Sequence, residues 1–151
     1  RLMFPEADVP VIPLSLQRRG GPQQAYRLGQ ALAPLVARGF LVIGSGNITH
    51  NLRDYQMAAA TGGQTPAYVR EFSDWVSGQI SAGHIDALLD YRQQAPGGVQ
   101  AHPSDEHLLP LYVALGAAGN QAQARRIHAG IDDYVIAMDA YSFQPQAGGQ
   151  S

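Results

Sequence analysis

The stretch that decides the fold is Phe40-Leu-Val-Ile-Gly-Ser-Gly46, which continues as Asn47-Ile-Thr-His50. Its first half is a continuous apolar run of strand length, which is typical of a strand buried on both faces of a parallel sheet. The two glycines let the chain turn sharply where that strand ends, and α/β proteins place their sites at this edge. His50 therefore stands where a functional histidine is expected, although a loop histidine bonded only to the backbone would have the same spacing.

The segments before this stretch extend the pattern toward the N-terminus. Val9–Leu16 has the composition of a strand, with two prolines that favour an edge or a strand end. A helix is predicted from Pro22 to Gly39, because apolar residues recur at helical spacing between them. Strand, helix and strand in this order form a βαβ unit with a right-handed connection. The sequence thus predicts an α/β fold with a mostly parallel central sheet flanked by helices, as a single domain over residues 1–143.

The rest of the chain supplies the flanking helices. Asn51–Gln64 is polar and alanine-rich, which indicates an irregular loop with at most a short helical turn. After it, the patterns predict a helix with the core stripe Val69, Phe72, Val76 and Ile80, an apolar helix over Leu108–Leu115 capped by Ser104, a helical piece over Gln121–Ala129, a last strand over Tyr134–Phe143 and a flexible tail over 144–151.

Composition excludes several classes of protein. The chain has 151 residues, of which 45% are hydrophobic, and a net charge of -2 with no basic cluster longer than two residues, so nucleic acid is not an expected partner. No apolar run is long enough for a membrane span, and none at the N-terminus has the form of a signal peptide. The absence of cysteine excludes disulfides and thiolate ligands. These features predict a soluble, cytoplasmic protein that does not bind membranes.

A second cluster, His102-Pro-Ser-Asp-Glu-His107, lies at the mouth of the apolar helix. His107 is a candidate metal ligand or acid–base group. The alternative is that Asp105 and Glu106 only complement the helix dipole while His107 is a satisfied core residue. His102 precedes a proline, which makes an extended conformation and a different direction the expectation. The spacing is not that of a His-Glu-x-x-His zinc protease.

Other motifs fail on inspection. The Gly-Ser-Gly motif lacks both the third glycine of a dinucleotide site and the Gly-Lys-Ser/Thr of a phosphate loop. Ser15, Ser45 and Ser104 have no Gly-x-Ser-x-Gly surroundings, so a serine hydrolase is not indicated. His84 and His128 occur in short polar segments and are expected to face solvent.

Four segments in order resemble one enzyme family: Phe4–Leu16, Gly44–Arg53, His102–Ala118 and Met138–Phe143. They are similar to class III extradiol ring-cleavage dioxygenases, closest to the DOPA-dioxygenase-like branch, which is related to the catalytic subunit of protocatechuate 4,5-dioxygenase. The resemblance covers nearly the whole chain. It implies an α/β fold whose non-haem Fe(II), or zinc in some members, binds a catechol and O₂.

The resemblance also implies roles for two histidines. His50 matches the family's active-site histidine, which lies beside the metal, serves as acid–base and is sometimes counted as a ligand. His107 matches the family's late metal ligand. The resemblance assigns no substrate-binding residue. We expect the imidazoles of His50 and His107 to approach each other at the carboxyl edge of the sheet and to face one cavity.

The departures from the family concern its N-terminal half. Two further family histidines, in His-Gly-Ser-Pro-like and Ser-x-His-Trp-like motifs, have no counterpart, and Tyr26 and Pro13 stand where relatives often carry His and Gln. The chain therefore resembles the C-terminal half of the enzyme, with an incomplete Fe(II) site. We expect it to form a homo-oligomer or to pair with the missing N-terminal half, with a small aromatic diol and O₂ as ligands. The alternative is a non-catalytic remnant or binding module on the same scaffold.

Overall fold

Helices dominate the structure, a computed structural model that describes residues 4–17, 19–60 and 62–144. Within this part, the helices are α1 (Gly21–Val36), α2 (Leu52–Ala60), α3 (Ala67–Ala82), α4 (Ile85–Leu89), α5 (Tyr91–Gln94), α6 (Gly98–Ala101) and α7 (Leu109–Ala118). The strands are β1 (Gln123–His128), β2 (Ile131–Asp132), β3 (Ile136–Ala137) and β4 (Ala140–Gln144). The chain is thus a mixed α/β single domain. The flexible tail predicted over 144–151 is wrong for its first residue, because Gln144 pairs as the last residue of β4, and the rest of it lies outside the described residues.

The closest helix pair is α1 against α7. A Cβ atom added to Gly29 would collide with the backbone carbonyl of Val113, and one added to Gly116 would collide with the carbonyl of Tyr26. The two backbones therefore touch through glycines, which side chains of any size would prevent. This contact covers α7, which is apolar on nearly all faces, and confirms that α7 belongs to the interior.

Helix α3 provides the other side of the core. Its predicted stripe of Val69, Phe72, Val76 and Ile80 is buried, as expected from the helical spacing. The rings of Phe72 and Tyr91 meet edge to face with centroids 5.9 Å apart. These helices hold the two loops that carry the histidine motifs.

The sheets differ from the prediction of a mostly parallel central sheet. Strands β1 and β4 pair antiparallel with a bulge between Arg126 and His128, and β2 pairs antiparallel with β3. The helical piece predicted over Gln121–Ala129 is wrong, because this segment is strand β1. Its strand conformation depends on a distant partner: Arg126 forms an ion pair with Asp139, whose side chain is 1% exposed. The strand predicted over 134–143 is interrupted: it begins in a turn, and only residues 136–137 and 140–143 belong to β3 and β4.

The two segments predicted to form the parallel strands are not paired as strands in the described part of the chain. Val11 and Ile12 are 83% and 79% exposed, and Leu41 and Ile43 are 66% and 63% exposed. The prediction that Phe40–Gly44 is a strand buried on both faces is therefore wrong for this chain. A strand requires a neighbour for its backbone N–H and C=O groups, and none of the described segments provides one.

Two smaller corrections concern helix starts. The predicted loop after Asn51 is mostly helix α2, because the Asn51 Oδ1 accepts the N–H of Asp54 at 3.1 Å in the manner of a helix cap. Ser104 does not cap α7, which begins at Leu109 without a side-chain cap. No helix in the described ranges is long and apolar enough to cross a membrane.

Candidate active site

The loop that carries His50 is held at every residue from 47 to 51. The N–H of Asn47 donates to the His107 carbonyl at 2.8 Å, and the N–H of Ile48 donates to the Ala137 carbonyl at 3.0 Å. The hydroxyl of Thr49, which is fully buried, donates to the Val135 carbonyl at 2.7 Å. Such a loop has few alternative conformations, because each change would leave buried polar groups unpaired.

The same loop is hydrogen-bonded to the segment that leads to His107. The N–H of His50 donates to the Ala101 carbonyl at 2.9 Å, and the Asn51 side-chain amide donates to the Gln100 carbonyl at 2.8 Å. Together with the bond from Asn47 to His107, these contacts join residues 47–51 to residues 100–107 at both ends. We call this pair of segments the clamped loops.

The Gly-Ser-Gly motif has a steric explanation that differs from the predicted sharp turn. Neither Gly44 nor Gly46 has a positive φ angle. A Cβ atom at Gly44 would collide with the carbonyl of Pro110, and one at Gly46 would collide with the carbonyl of His107. Glycine is needed because the chain passes directly against the start of α7, and this close passage brings the His50 loop to His107.

The structure brings the rings of His50 and His107 together. The two imidazoles are stacked with centroids 3.6 Å apart and planes inclined by 20°. His50 is half-buried and His107 is exposed. Burial lowers the pKa of His50 below its ordinary value, and the proximity of His107 lowers this pKa further. The ring of His50 is therefore neutral near pH 7 and has a nitrogen that can accept a proton.

The cavity expected at this pair stays a prediction, because the two best-formed cavities among the described residues lie elsewhere. One cavity of about 170 Å³ lies between Leu14–Gln17 and the first turns of α1. Another, a shallow depression of about 550 Å³, lies between the end of α3 and Gln121–Ala124. Neither is lined by His50 or His107, and the exposed ring of His107 leaves the pair open on one side.

His102 is the residue at this site that sequence reasoning did not assign. It was expected to point elsewhere, but its ring is fully buried and its Nε2 lies 2.7 Å from the carbonyl oxygen of Ile48, two residues before His50. Burial lowers the pKa of His102 to about 4, although the bond to Ile48 acts in the opposite direction. In the sequence, Pro103 indicated only the backbone conformation of His102, because a residue before proline is extended, as His102 is at φ -132 and ψ 88.

Asp105 supports the His107 segment rather than the helix dipole. Its Oδ1 accepts the Tyr91 hydroxyl at 2.7 Å and the Arg92 guanidinium at 2.7 Å. The same Arg92 nitrogen donates to the carbonyl of His102 at 3.0 Å. Burial raises the pKa of Tyr91, and the neighbouring Asp105 adds to this effect, so the phenol remains a donor. His84 and His128 are exposed, as expected.

A metal ion needs more donors than the described residues bring together at this pair. His50 and His107 offer two imidazoles stacked face to face, and imidazole is a ligand that suits iron and zinc. A non-haem Fe(II) site takes about three protein ligands. Among residues 4–17, 19–60 and 62–144, no group of three or more His, Cys, Asp or Glu side chains could hold a metal ion. The described residues thus do not complete a ligand set for such an ion.

Comparison with known proteins defines the class. Residues 1–142 match the family described as the catalytic LigB subunit of aromatic ring-opening dioxygenase. The chain belongs to this family, which confirms the resemblance found in the sequence.

Particular relatives refine this placement. The chain is 39% identical over 142 residues to a 4,5-DOPA dioxygenase extradiol of Beta vulgaris, covering 94% of this chain and 52% of that protein. It is 35% identical to the protein of the same name in Mirabilis jalapa, covering 95% and 53%. The crystal structure of an uncharacterized protein from Escherichia coli K12 superposes with a TM-score of 0.80 at 29% identity, covering 92% of this chain and 57% of that one. The chain spans about half the length of the curated relatives it matches.

Proposed function

We propose that this chain takes part in metal-dependent, extradiol-type opening of an aromatic diol ring by O₂, with His50 as the acid–base group and His107 as a metal ligand. The observation that carries the proposal is the stacked pair of imidazoles, 3.6 Å apart, at the junction of the clamped loops. Membership of the ring-opening dioxygenase family supports the reaction class.

The electrostatic state of His50 suits the acid–base role. Because its pKa is lowered by burial and by His107, the ring is neutral near pH 7 and can accept the proton of a catechol hydroxyl. The same nitrogen then returns a proton to the ring-opened product. Since the rigid loop fixes the position of the ring, little reorganisation is needed when the substrate binds.

The metal in this proposal is Fe(II), with zinc as a possible substitute. Dioxygenases of the family are generally metal-dependent. His107 would bind the metal. His50 would either lie beside the metal or bind it as a second ligand. When bound, the metal would offer open positions to the diol oxygens and to O₂. The remaining ligands come from outside the described residues.

The substrate class follows from the relatives. Those from Beta vulgaris and Mirabilis jalapa carry the name 4,5-DOPA dioxygenase extradiol. A catechol with a short, polar side chain, such as DOPA, is therefore the first substrate to test. No residue of this chain is assigned to its recognition.

The proposal includes a partner for the exposed apolar segments. Val11, Ile12, Leu41 and Ile43 are more than half exposed, on the two segments that were predicted as strands and are unpaired in the described part of the chain. Apolar, unpaired segments of this kind favour association. We propose that they pair with the N-terminal half of the family fold or with a second copy of the chain.

A second function is a non-catalytic binding module. The observation that favours it is the ligand count, because two imidazoles without a third ligand do not make a stable iron site. On this alternative, the clamped loops serve as a binding scaffold, and the chain does not catalyse ring opening.

An oxygen-uptake experiment separates the two functions. The chain is loaded anaerobically with Fe(II), alone and after co-expression with the N-terminal half of the Beta vulgaris relative, and DOPA is then added. The variants are His50→Gln and His107→Ala, with His84→Gln as the control, because the exposed ring of His84 contacts Gln79 only at the surface. Oxygen consumption and the absorbance of the ring-opened product are measured together.

We expect turnover by the combined halves, a loss of at least about tenfold in kcat for His50→Gln, and loss of both iron and activity for His107→Ala. His84→Gln should behave as the wild type. Turnover that survives His50→Gln would refute the acid–base role. Absence of oxygen uptake in every combination, with iron bound, would favour the binding module.

A further inference from the structure

The buried imidazole of His102 has one bonded nitrogen and one unbonded nitrogen. A carbonyl oxygen can only accept, so the Nε2 that lies 2.7 Å from the Ile48 carbonyl carries the proton and donates it. The Nδ1 is then a bare acceptor, and it is buried without a hydrogen-bond partner in the described part of the chain. The ring is also enclosed by the edges of Phe72 and Tyr91, with centroids 5.8 and 6.2 Å away.

This arrangement is poorly explained by stability. A buried acceptor without a partner costs about 1–3 kcal/mol, whereas one hydrogen bond contributes about 1 kcal/mol net. A phenyl ring would fill nearly the same aromatic pocket beside Phe72 and Tyr91 and would exchange the unpaired Nδ1 for an unpaired Ile48 carbonyl, so the net change in stability should be small. What a phenyl ring could not do is hold the carbonyl of Ile48.

The position of that bond links it to the two histidines. Ile48 is two residues from His50, and its own N–H is held by Ala137. Arg92 donates a hydrogen bond to the carbonyl of His102, and His102 lies five residues before His107. His102 thus connects one clamped loop to the other through its side chain, in addition to the backbone bonds between them.

We propose that His102 is a positioning residue whose Nε2–H, by holding the Ile48 carbonyl, keeps the ring of His50 stacked on the ring of His107. This inference rests on the proposed function for the importance of the pair. Its test reads the ring positions directly, so it can fail or succeed independently of any dioxygenase activity.

The test uses NMR of the full chain with labelled histidine. In the wild type, the stacked rings should give cross-ring nuclear Overhauser effects between His50 and His107 and upfield ring-current shifts of their protons. His102→Phe removes the donor and keeps the ring volume, and His102→Gln restores a donor that can reach Ile48. His84→Phe is the matched control at an exposed histidine.

We expect His102→Phe to fold with an unfolding midpoint close to the wild-type value but to lose the cross-ring effects and the upfield shifts. His102→Gln should recover both, and His84→Phe should change neither. A merely structural role predicts the reverse: a lower midpoint with an unchanged stacking signature. Folded His102→Phe that retains the full signature would overturn the proposal, as would His102→Gln that fails to recover it.

If His102→Phe does not fold, a further pair of variants tests whether His102 positions the ring of His50. His102→Asn and His102→Gln are both amides, but only the longer glutamine can place its N–H where the Nε2 of His102 lies. Retention of the stacking signature in the glutamine variant and its loss in the asparagine variant would support positioning. Equal signatures in the two variants would overturn it.

Discussion

Acidification should destabilise this chain through His102. Burial lowers the pKa of this ring from 6.5 to about 4 in the folded chain. As the pH falls below 6.5, the unfolded chain takes up a proton that the folded chain does not bind until about pH 4. The stabilising contribution of the neutral ring is therefore complete above pH 6.5 and is lost progressively across this window.

The magnitude follows from the two pKa values. A difference of about 2.5 between them corresponds to about 3 kcal/mol when the loss is complete. Near pH 5, about 2 kcal/mol of the free energy of unfolding should already be lost. For a domain of this size, which typically has only about 5–15 kcal/mol of stability, such a loss is large.

The assay is urea unfolding at several pH values between neutrality and pH 5, monitored by the fluorescence of Trp75, the single tryptophan. Trp75 lies beside Phe72, with ring centroids 6.2 Å apart, and so reports on the core next to His102. His102→Phe is measured in parallel. Apart from His50, whose ring the substitution is expected to release, the other titrating groups keep the same surroundings in both proteins, so their contributions cancel in the difference.

We expect the wild type to lose about 2 kcal/mol more than His102→Phe between pH 7 and pH 5. Equal losses in the two proteins would refute the reasoning, because they would mean that His102 has the same pKa in the folded and unfolded chains. A larger loss in His102→Phe would refute it as well.

Other predictions concern packing, the ion pair, the metal and association. Gly46→Ala should destabilise the chain by about 1–3 kcal/mol in urea, because the new Cβ meets the His107 carbonyl, while Ser45→Ala at the neighbouring exposed position should be nearly neutral. Asp139→Ala should cost about 1–3 kcal/mol in the same assay, since it removes the buried partner of Arg126, whose guanidinium keeps Asp74 and Ser73. Elemental analysis after Fe(II) loading should find far less than one iron per chain, and one tightly bound iron would contradict the two-ligand count. Sedimentation at micromolar concentration should show an associated species, and a stable, well-folded monomer would contradict the role given to the exposed apolar segments.

The parts of the fold that the sequence predicted correctly depend on local periodicity. The buried stripe of α3 and the apolar helix α7 are fixed by side chains three and four residues apart, which a sequence shows directly. Strand β1 was misread as helix because Gln, Ala and Arg are good helix formers. Its true conformation depends on β4, and on the ion pair between Arg126 and Asp139, which are thirteen residues apart.

The sequence likewise predicted only the part of the candidate site that local motifs indicate. The Gly-Ser-Gly motif and the acidic cluster before α7 pointed to His50 and His107, and the two rings do lie together. The contact of His102 with Ile48 joins residues 54 positions apart, and no local pattern announces such a bond. The need for glycine at position 46 was visible in the sequence, but its reason, the carbonyl of His107, required the fold.

One of the exposed apolar segments is joined directly to the loop that carries His50. Phe40–Ile43 runs directly into Gly44 and Gly46, which lie against Pro110 and His107. We propose that the partner that covers Phe40–Ile43 also reaches the open side of the pair, where the ring of His107 is exposed, and brings further ligands to the metal. On this proposal, association and completion of the site are one event, because the segment that needs a neighbour leads directly to His50.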